Sequence, residues 1–320
     1  MKIAVFRALQ LGDILCAIPA IRTLKRALPG ATLFYVGLPT MRPLLQRYAF
    51  IDVYIDFPGY RGLPEQPYDE AKTEAFVKHI RSMEFDLLVQ MQGNGTIVNS
   101  FLAQWGSKRL VGFCPESDQV DEDWLLYPDT LHEVDRHLQL VKHLGVALTP
   151  EDRRMAFPLF PADWDNFSAL KGTFRLNRYA IVHVGSRSTD RQWPLRNFVV
   201  LAEHLLRRGL QIVLTGTAGE APLVLEMQQL LPIGSVINLA GRTSLGLLGC
   251  VVQQAELLVS NCTGISHIAA ALETKSLILS LDGEPERWGP QNQRIHHTFD
   301  ATSPLALPDL CEDLDRLLAL

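Results

Sequence analysis

Short apolar runs alternate with amphipathic segments along the whole chain. The runs are rich in β-branched residues and predict strands at residues 2–6, 32–36, 87–90, 179–183, 211–215, 257–260 and 276–281. Between them, apolar residues recur at helical spacing, as at residues 14–28, 197–208 and 222–231. Strands that alternate with helices in this way predict an α/β fold built on doubly wound parallel sheets.

The strand–helix pattern begins twice. One series opens at residues 2–6 and a second at 179–184, and each opening strand leads into a loop that contains glycine. Between these two series, residues 148–154 and 158–165 contain polar residues and prolines, which is typical of a linker. We therefore predict two Rossmann-like domains, residues 1–160 and 161–320, that face a central cleft.

Two further segments carry structural expectations. Acidic residues gather between Glu116 and Asp135, and we interpret this stretch as a solvated, irregular connection. Residues 308–320 show the pattern of a last amphipathic helix, which we expect to pack back across the hinge onto the first domain.

Composition narrows the classes of function. The net charge of −5 and the isoelectric point near 6.0 argue against nucleic acid as a partner. Five cysteines without CxxC spacing indicate a reducing compartment and give no sign of a disulfide framework or a zinc site. No signal-peptide segment precedes the first strand, and no apolar run reaches the roughly 18 residues of a membrane span. We therefore expect a soluble, cytoplasmic protein.

A candidate anion site follows the strand predicted at residues 257–260. Small polar residues end this strand, and a helix of small residues begins near Gly264. The free N–H groups and the positive dipole end of such a helix suit phosphate, and the hydroxyls of Thr263 and Ser266 add donors. The alternative is an ordinary capped helix in an α/β sheet.

The loop after the first predicted strand holds a single glycine, Gly12, followed by Asp13. A dinucleotide-binding fingerprint needs three glycines here, so a NAD-binding fold is not expected. Asp13 lies at the carboxyl edge of a parallel strand, where ligands bind in such sheets, and we interpret it as a general base for an attacking hydroxyl. The alternative is a helix N-cap, and Pro19 predicts that the regular helix begins or kinks there.

Three glycine-containing turns lie in the second half, and the first two follow predicted strands. The first contains Ser186 and Arg191, and the planar arginine fork suits bidentate phosphate binding. The second contains Thr215 and Gly216, and the third contains Thr243, a plausible helix cap. Turns at neighbouring strand ends would line one pocket for a nucleotide diphosphate. Scattered surface arginines are the alternative.

Four motifs, in order, resemble those of family 9 glycosyltransferases, the group of the ADP-heptose:lipopolysaccharide heptosyltransferases. Residues 11–20 are similar to the family's G-D-x-x-x-x-x-P signature. Residues 183–194 resemble its H-P-G-x-S…K-x-W-P segment, residues 241–245 its G-K-T-S-L turn, and residues 263–267 the end of its D-T-G-x-x-H donor loop. The match runs nearly from end to end of the chain.

The resemblance implies a GT-B fold, with the nucleotide sugar in the C-terminal domain and the acceptor in the N-terminal domain. It implies an inverting, metal-independent transfer in which Asp13 is the catalytic base, with Gly12 beside it on the acceptor side. Arg191 takes the place of a phosphate-binding lysine. Together with the turns above, the donor-binding positions are Ser186, Arg191, Thr215, Gly216, Thr243, Cys262, Thr263, Gly264 and His267.

The resemblance also implies the partners. No cofactor is expected, and the co-substrate is a nucleotide-diphospho-sugar linked to ADP. The acceptor is a hydroxyl of a glycan or a lipid-linked lipopolysaccharide core at the inner membrane surface, where a cytoplasmic enzyme would bind peripherally.

One departure from the family concerns the donor sugar. The family usually carries aspartate where this chain has Cys262, and that carboxylate is associated with hydroxyls of the sugar. A thiol is a weak donor and acceptor and does not replace two carboxylate oxygens. We therefore expect a donor other than the usual heptose, or one held by other groups. The alternative is that Cys262 is a small buried apolar residue.

Other interpretations stay open beside heptosyl transfer. One is a family member that transfers a different sugar, and another is a catalytically silent relative that binds nucleotide sugars. A third is an unrelated two-domain α/β protein such as a sugar-nucleotide epimerase. Asp13 argues against the silent relative, because a pure binding module has no need of a base at the acceptor edge.

Overall fold

Two compact units make up the chain, Met1–Ala156 and Phe157–Leu320. They are seen in a computed structural model that describes residues 1–320 apart from the side chain of residue 118. Each unit contains one six-stranded sheet whose paired strands all run parallel. The predicted α/β fold with doubly wound parallel sheets is confirmed.

The first unit alternates strands and helices. Its elements in chain order are β1 (Lys2–Phe6), α1 (Leu11–Ala27), β2 (Thr32–Gly37), α2 (Arg42–Leu45), β3 (Val53–Asp56), α3 (Glu70–Arg81), β4 (Leu87–Gln90), α4 (Asn99–Ala103), β5 (Arg109–Cys114), β6 (Trp124–Leu126) and α5 (Glu133–His143). The sheet order is β3-β2-β1-β4-β5-β6, so the order reverses between β1 and β4. In open parallel sheets, ligands bind beyond the carboxyl ends of the strands at such a reversal.

The second unit repeats this plan. Its elements are α6 (Pro161–Phe174), β7 (Tyr179–His183), α7 (Leu195–Arg207), β8 (Gln211–Leu214), α8 (Ala221–Leu230), β9 (Val236–Asn238), α9 (Leu245–Gln253), β10 (Leu257–Asn261), α10 (Gly264–Ala271), β11 (Ser276–Ser280), α11 (Pro285–Trp288), β12 (His296–Asp300) and α12 (Leu307–Ala319). The sheet order is β12-β11-β10-β7-β8-β9, so the reversal lies between β7 and β10.

The central strands of both sheets are buried on both faces, which is why they appear in the sequence as continuous apolar runs. In the first unit, aromatic rings pack edge to face on one side of the sheet, with Phe6 against Phe57 and Trp105. In the second unit, one apolar cluster joins the sheet to α7 and α12. Within the described residues, no helix has the length and apolar character needed to span a bilayer.

The last helix packs within its own unit. Leu310, Leu314 and Leu317 of α12 are buried in the apolar cluster that includes residues of α7. Their spacing places all three on one face of the helix. Packing of this helix against the first domain as well stays a prediction.

Two local predictions for the first unit need correction. The helix α1 begins at Leu11 and includes Pro19, so the regular helix does not begin at the proline, and a kink at Pro19, the other alternative, stays a prediction. The acidic stretch is also not irregular throughout, because Trp124–Leu126 form a strand beside β5 and Glu133 begins α5 with its side chain buried. A three-residue strand is too short to show periodicity, and pairing with β5 fixes it.

Candidate functional site

Asp13 lies in the first turn of α1, just beyond the carboxyl end of central strand β1. The N-cap of this helix is Gln10, so Asp13 is not the capping residue itself. It is the third residue of the helix, and its carboxylate accepts a hydrogen bond from the backbone N–H of Gln10. Gly12 precedes it in the same turn. The short loop therefore fixes Asp13 at the reversal point of the first sheet.

The buried side chain of Arg7 contacts this turn. Its side chain is 1% exposed, and its Nε donates to the backbone carbonyl of Asp13 at 2.9 Å. Nη1 donates to the carbonyl of Met91, which follows β4, and Nη2 lies 3.2 Å from Glu133 Oε1 and 3.8 Å from Asp13 Oδ1. One buried guanidinium therefore joins β1, the start of α1, the segment after β4 and α5.

Glu133 is the buried anion that balances this cluster. It accepts a hydrogen bond from Arg136, and its Oε1 lies 3.3 Å from His137 Nε2. Burial favours the neutral acid, but the neighbouring His137 and the charges of Arg7 and Arg136 prevail. They hold the pKa of Glu133 well below its ordinary value. The cluster therefore contains a permanent carboxylate near Asp13.

The electrostatic surroundings make Asp13 a stronger base than a free aspartate. Burial raises its pKa above the ordinary value, Arg7 opposes that rise, and the negative charge of Glu133 adds to it. A carboxylate with a raised pKa accepts a proton more readily, which is the property a general base needs.

Asn261, a residue that the sequence analysis did not single out, joins the two loops at the reversal point of the second sheet. This buried residue ends β10, and its Nδ2 donates to the carbonyls of Val184 at 2.9 Å and Gly185 at 3.2 Å. Its Oδ1 accepts from the backbone N–H of Trp193 at 3.0 Å. The only signal in the sequence is a polar amide at the end of an apolar strand.

The loop after β7 carries Ser186 and Arg191. Ser186 is buried, whereas the side chain of Arg191 is 56% exposed and extends toward Asp282, with Nη1 and Oδ2 3.9 Å apart. Asp282 follows β11 and was also not singled out in the sequence. The arginine is thus an exposed cation beside the strand ends, available to an anionic ligand.

Two further predicted positions lie after β8 and β9. The buried hydroxyl of Thr215 is 3.0 Å from His183 Nδ1, and the carbonyl of Gly216 accepts from the N–H of Gly241 at 2.9 Å. Thr243 is not the helix cap. The next residue, Ser244, caps α9, and its side chain accepts from the N–H of Leu247 at 3.2 Å. Thr243 and Ser244 both carry a hydroxyl that suits an N-cap, and the helix begins directly after Ser244.

The donor loop forms the start of α10. Thr263 is its N-cap residue in extended conformation, and the hydroxyl of Ser266 donates to the Thr263 carbonyl at 2.7 Å. That hydroxyl is therefore engaged within the loop. The N–H of Ser266 donates to the Thr263 carbonyl at 3.0 Å, which leaves the N–H groups of Gly264 and Ile265 at the start of the helix for an anion. His267 lies in the same helix, buried, with its ring 6.2 Å from that of Trp288.

Cys262 lies between Asn261 and the start of α10. Burial, followed by the negative charge of Asp282, raises the pKa of its thiol to about 12, so it is neutral at physiological pH. Among the side chains described in the structure, no three His, Cys, Asp or Glu residues are grouped as metal ligands.

The structure therefore brings one set of the predicted residues together at the β7/β10 reversal, and places others further along the same edge. Arg191, Cys262, Thr263 and Gly264 belong to the reversal point. Thr215 and Gly216 follow the neighbouring strand β8, and Thr243 follows β9 at the edge of the sheet.

Comparisons with known proteins agree with this architecture. The family model described as glycosyltransferase family 9 (heptosyltransferase) matches residues 73–306. The chain is 24% identical over 294 residues to lipopolysaccharide heptosyltransferase 3 of Escherichia coli K12, covering 89% of this chain and 83% of that protein.

Solved structures share the fold across almost the whole chain. A family 9 glycosyl transferase from Veillonella parvula superposes with a TM-score of 0.82 at 17% identity, covering 99% of this chain and 97% of the other. The ADP-heptose lipopolysaccharide heptosyltransferase II of Escherichia coli superposes with a TM-score of 0.76 at 21% identity, covering 100% and 99%.

Proposed function

This chain belongs to glycosyltransferase family 9, and we propose that it transfers a heptose from an ADP-linked donor to a hydroxyl of a lipopolysaccharide core or related glycan. The observation that carries the proposal is the Asp13 carboxylate. It lies at the reversal point of the first sheet, and burial and Glu133 raise its pKa. A nucleotide-binding protein without transferase chemistry has no use for such a base.

The proposed reaction is a single displacement with inversion. Asp13 takes the proton of the acceptor hydroxyl as its oxygen forms a bond to the anomeric carbon of the sugar. The bond from that carbon to the diphosphate oxygen breaks, and the nucleoside diphosphate leaves with the electron pair. Because only one displacement occurs, the anomeric configuration inverts.

The second unit supplies stabilisation for the leaving group. The diphosphate gains negative charge as the bond breaks, and we propose that it lies against Arg191 and the free N–H groups of α10 at Gly264. The donor-side set also includes Ser186, Thr215, Gly216, Thr243, Cys262, Thr263 and His267.

These cationic and dipolar groups lead us to propose that no metal ion and no other cofactor is essential. Activity is then expected to persist in excess EDTA. Loss of activity in EDTA with recovery on adding Mg²⁺, Mn²⁺ or iron would contradict this part of the proposal. Thermal unfolding in EDTA, measured in parallel, would separate a catalytic metal from a structural one.

The names of the relatives support the substrate classes. The matched proteins are called lipopolysaccharide heptosyltransferases, and one of the superposed structures is called an ADP-heptose heptosyltransferase. We propose the same co-substrate here and an acceptor that is a lipid-linked core glycan. The enzyme then works in the cytoplasm at the inner membrane surface, with acceptor binding in the first unit.

One observation favours a second candidate, a family 9 enzyme with a different sugar donor. Cys262 offers a neutral thiol where the family usually carries a carboxylate for sugar hydroxyls. This substitution changes the surroundings of the sugar and leaves Arg191 and the start of α10 in place for the diphosphate.

A donor screen tests the proposal directly. The protein is incubated with ADP-heptose or with ADP-, GDP-, UDP- or dTDP-hexoses and a deep-rough core acceptor, and product is measured by mass spectrometry. We expect transfer from ADP-heptose, reduced about 10²–10⁴-fold in Asp13→Asn, the range for loss of a general base. ADP affinity should stay unchanged in that variant. Transfer at wild-type rate by Asp13→Asn would refute the mechanism, and transfer only from another donor would establish the second candidate.

A further inference from the structure

Asp282 occupies the space beside Cys262 in the second unit. The strands β10 and β11 pair in parallel, and the N–H of Cys262 donates to the carbonyl of Leu279 at 2.9 Å. Asp282 follows the end of β11 by two residues, so both side chains lie at the carboxyl edge of neighbouring strands. Their proximity also shows in the thiol, whose pKa is raised by burial and then by the Asp282 charge.

One carboxylate oxygen of Asp282 accepts two hydrogen bonds within the protein. Oδ1 accepts from the hydroxyl of Ser280 at 2.6 Å and from the N–H of Glu284 at 3.1 Å. Its side chain is only 8% exposed. Among the side chains described in the structure, Oδ2 accepts no hydrogen bond, and its charged neighbour is Arg191 at 3.9 Å.

This arrangement is suited to bind a polar ligand group. A carboxylate oxygen with spare acceptor capacity, on a side chain that is only 8% exposed, favours a hydroxyl donor, and a hydrogen bond to an ionised acceptor is about twice as strong as a neutral one. The neighbouring thiol of Cys262 is smaller than a carboxylate and leaves room for that hydroxyl. Arg191, whose Nη1 is 3.9 Å from Oδ2, is the residue against which the proposed diphosphate lies.

We propose that Asp282 is the residue that binds hydroxyls of the donor sugar, in place of a carboxylate at position 262. The oxygen that accepts hydrogen bonds from the sugar hydroxyls then lies in the loop after β11 and not at the end of β10. The sugar ring then lies between Cys262 and Asp282, with its diphosphate on Arg191. This inference rests on the proposed function, because it assigns the sugar subsite of the same nucleotide-sugar site.

The competing role for Asp282 is to orient Arg191. The two roles differ in what a substitution changes. If Asp282 binds the sugar, its loss weakens ADP-heptose and spares ADP. If Asp282 orients Arg191, its loss changes the affinity for both ligands by the same factor, since both carry the diphosphate.

The test compares ADP with ADP-heptose by isothermal titration calorimetry. Asp282→Asn keeps an acceptor for Ser280 and Glu284 and removes the charge, so the fold is retained. We expect this variant to bind ADP-heptose about tenfold more weakly than wild type, as for one charge-assisted hydrogen bond, with ADP affinity within about twofold. The matched control is Glu284→Gln, in which an exposed carboxylate of the same loop that pairs with Arg287 is neutralised. It should bind both ligands as wild type does.

A rescue variant strengthens the design. Cys262→Asp combined with Asp282→Asn returns a carboxylate to the end of β10 and should recover most of the lost ADP-heptose affinity. Equal affinities of wild type and Asp282→Asn for ADP-heptose would overturn the inference and leave the proposed function standing. An equal loss for ADP and ADP-heptose would overturn it in favour of the Arg191 role. A wild-type protein that binds neither ligand would refute both the proposed function and this inference.

Discussion

Arg191 shows how much one exposed side chain can contribute once a ligand is present. In the protein alone it is largely solvated and only loosely paired with Asp282 across 3.9 Å. A surface pair of this kind adds little to folding stability, because solvent screens it and the long side chain loses freedom. Against a diphosphate, the same guanidinium donates paired hydrogen bonds to a doubly charged partner.

We therefore expect Arg191→Ala to weaken ADP binding by about 1.5–3 kcal/mol without changing the unfolding temperature. Arg191→Lys should restore part of the affinity, since lysine keeps the charge and loses the planar fork. The control is Arg196→Ala on α7, an exposed arginine whose removal changes the net charge equally. Isothermal titration calorimetry measures the ADP affinity of each variant. Equal losses in the two alanine variants would indicate a general charge effect rather than a contact.

The elements of the site are joined by side chains whose partners are distant in sequence. Asp13 and the start of α10 could be predicted, because each is a strand–turn–helix unit written in consecutive residues. Asn261 could not, since its hydrogen bonds reach residues 77 and 68 positions away. The same holds for Arg7, whose partner Glu133 is 126 positions distant. Local patterns show which groups exist, and only the sheet order shows which groups meet.

The shortest strands also depend on partners that are distant in sequence. Burial makes the long inner strands continuous apolar runs, and seven strands were therefore predicted to within one residue: β1, β2, β4, β7, β8, β10 and β11. The strands β3, β5 and β12 were not predicted. The edge strands β6 and β9 have three residues each and are only half-buried, apart from exposed Leu126, so neither length nor alternation identifies them. Their conformation comes from pairing with β5 and β8.

Asn261→Ala tests whether this amide holds the two loops of the second unit. The change leaves the Trp193 N–H and the Val184 carbonyl without their partner, and buried unsatisfied groups cost about 1–3 kcal/mol each. We expect the free energy of unfolding in urea to fall by about 2–4 kcal/mol. Asn238→Ala is the control, because Asn238 also ends a strand but bonds only to nearby Gln228 and Ala240. A loss no larger than in that control would show that the bridge is not important for stability.

At the scale of the whole molecule, the buried cluster of the first unit links stability to pH. The pKa of Glu133 is depressed in the folded protein, so Glu133 binds protons more readily after unfolding. Its contribution is therefore fully present above its unfolded pKa of about 4.3 and is lost as the pH falls below that value.

We expect Glu133→Gln to lower the free energy of unfolding by about 3–5 kcal/mol at neutral pH, because Arg7 and Arg136 lose their buried counter-charge. Below about pH 4 the difference from wild type should shrink, since the unfolded wild-type chain then binds a proton at Glu133 that the folded protein does not bind. Urea unfolding from pH 3 to 7 measures it. Glu74→Gln on the exposed face of α3 should follow the wild-type curve. A difference that stays constant over this range would show that the lost carboxylate charge is not the cause.

The pairing of Arg7 with Glu133 also sets the order in which the base is completed during synthesis. Asp13 is synthesised early, but Glu133, which balances the charge of Arg7, is added 126 positions after Arg7. Until α5 docks, the arginine that contacts the first turn of α1 lacks its buried anion, and contacts so distant in sequence form late in folding. Nascent chains that end before residue 133 would therefore hold Asp13 in a different field. The proton affinity of Asp13, measured in nascent chains of increasing length, would show at which length α5 docks.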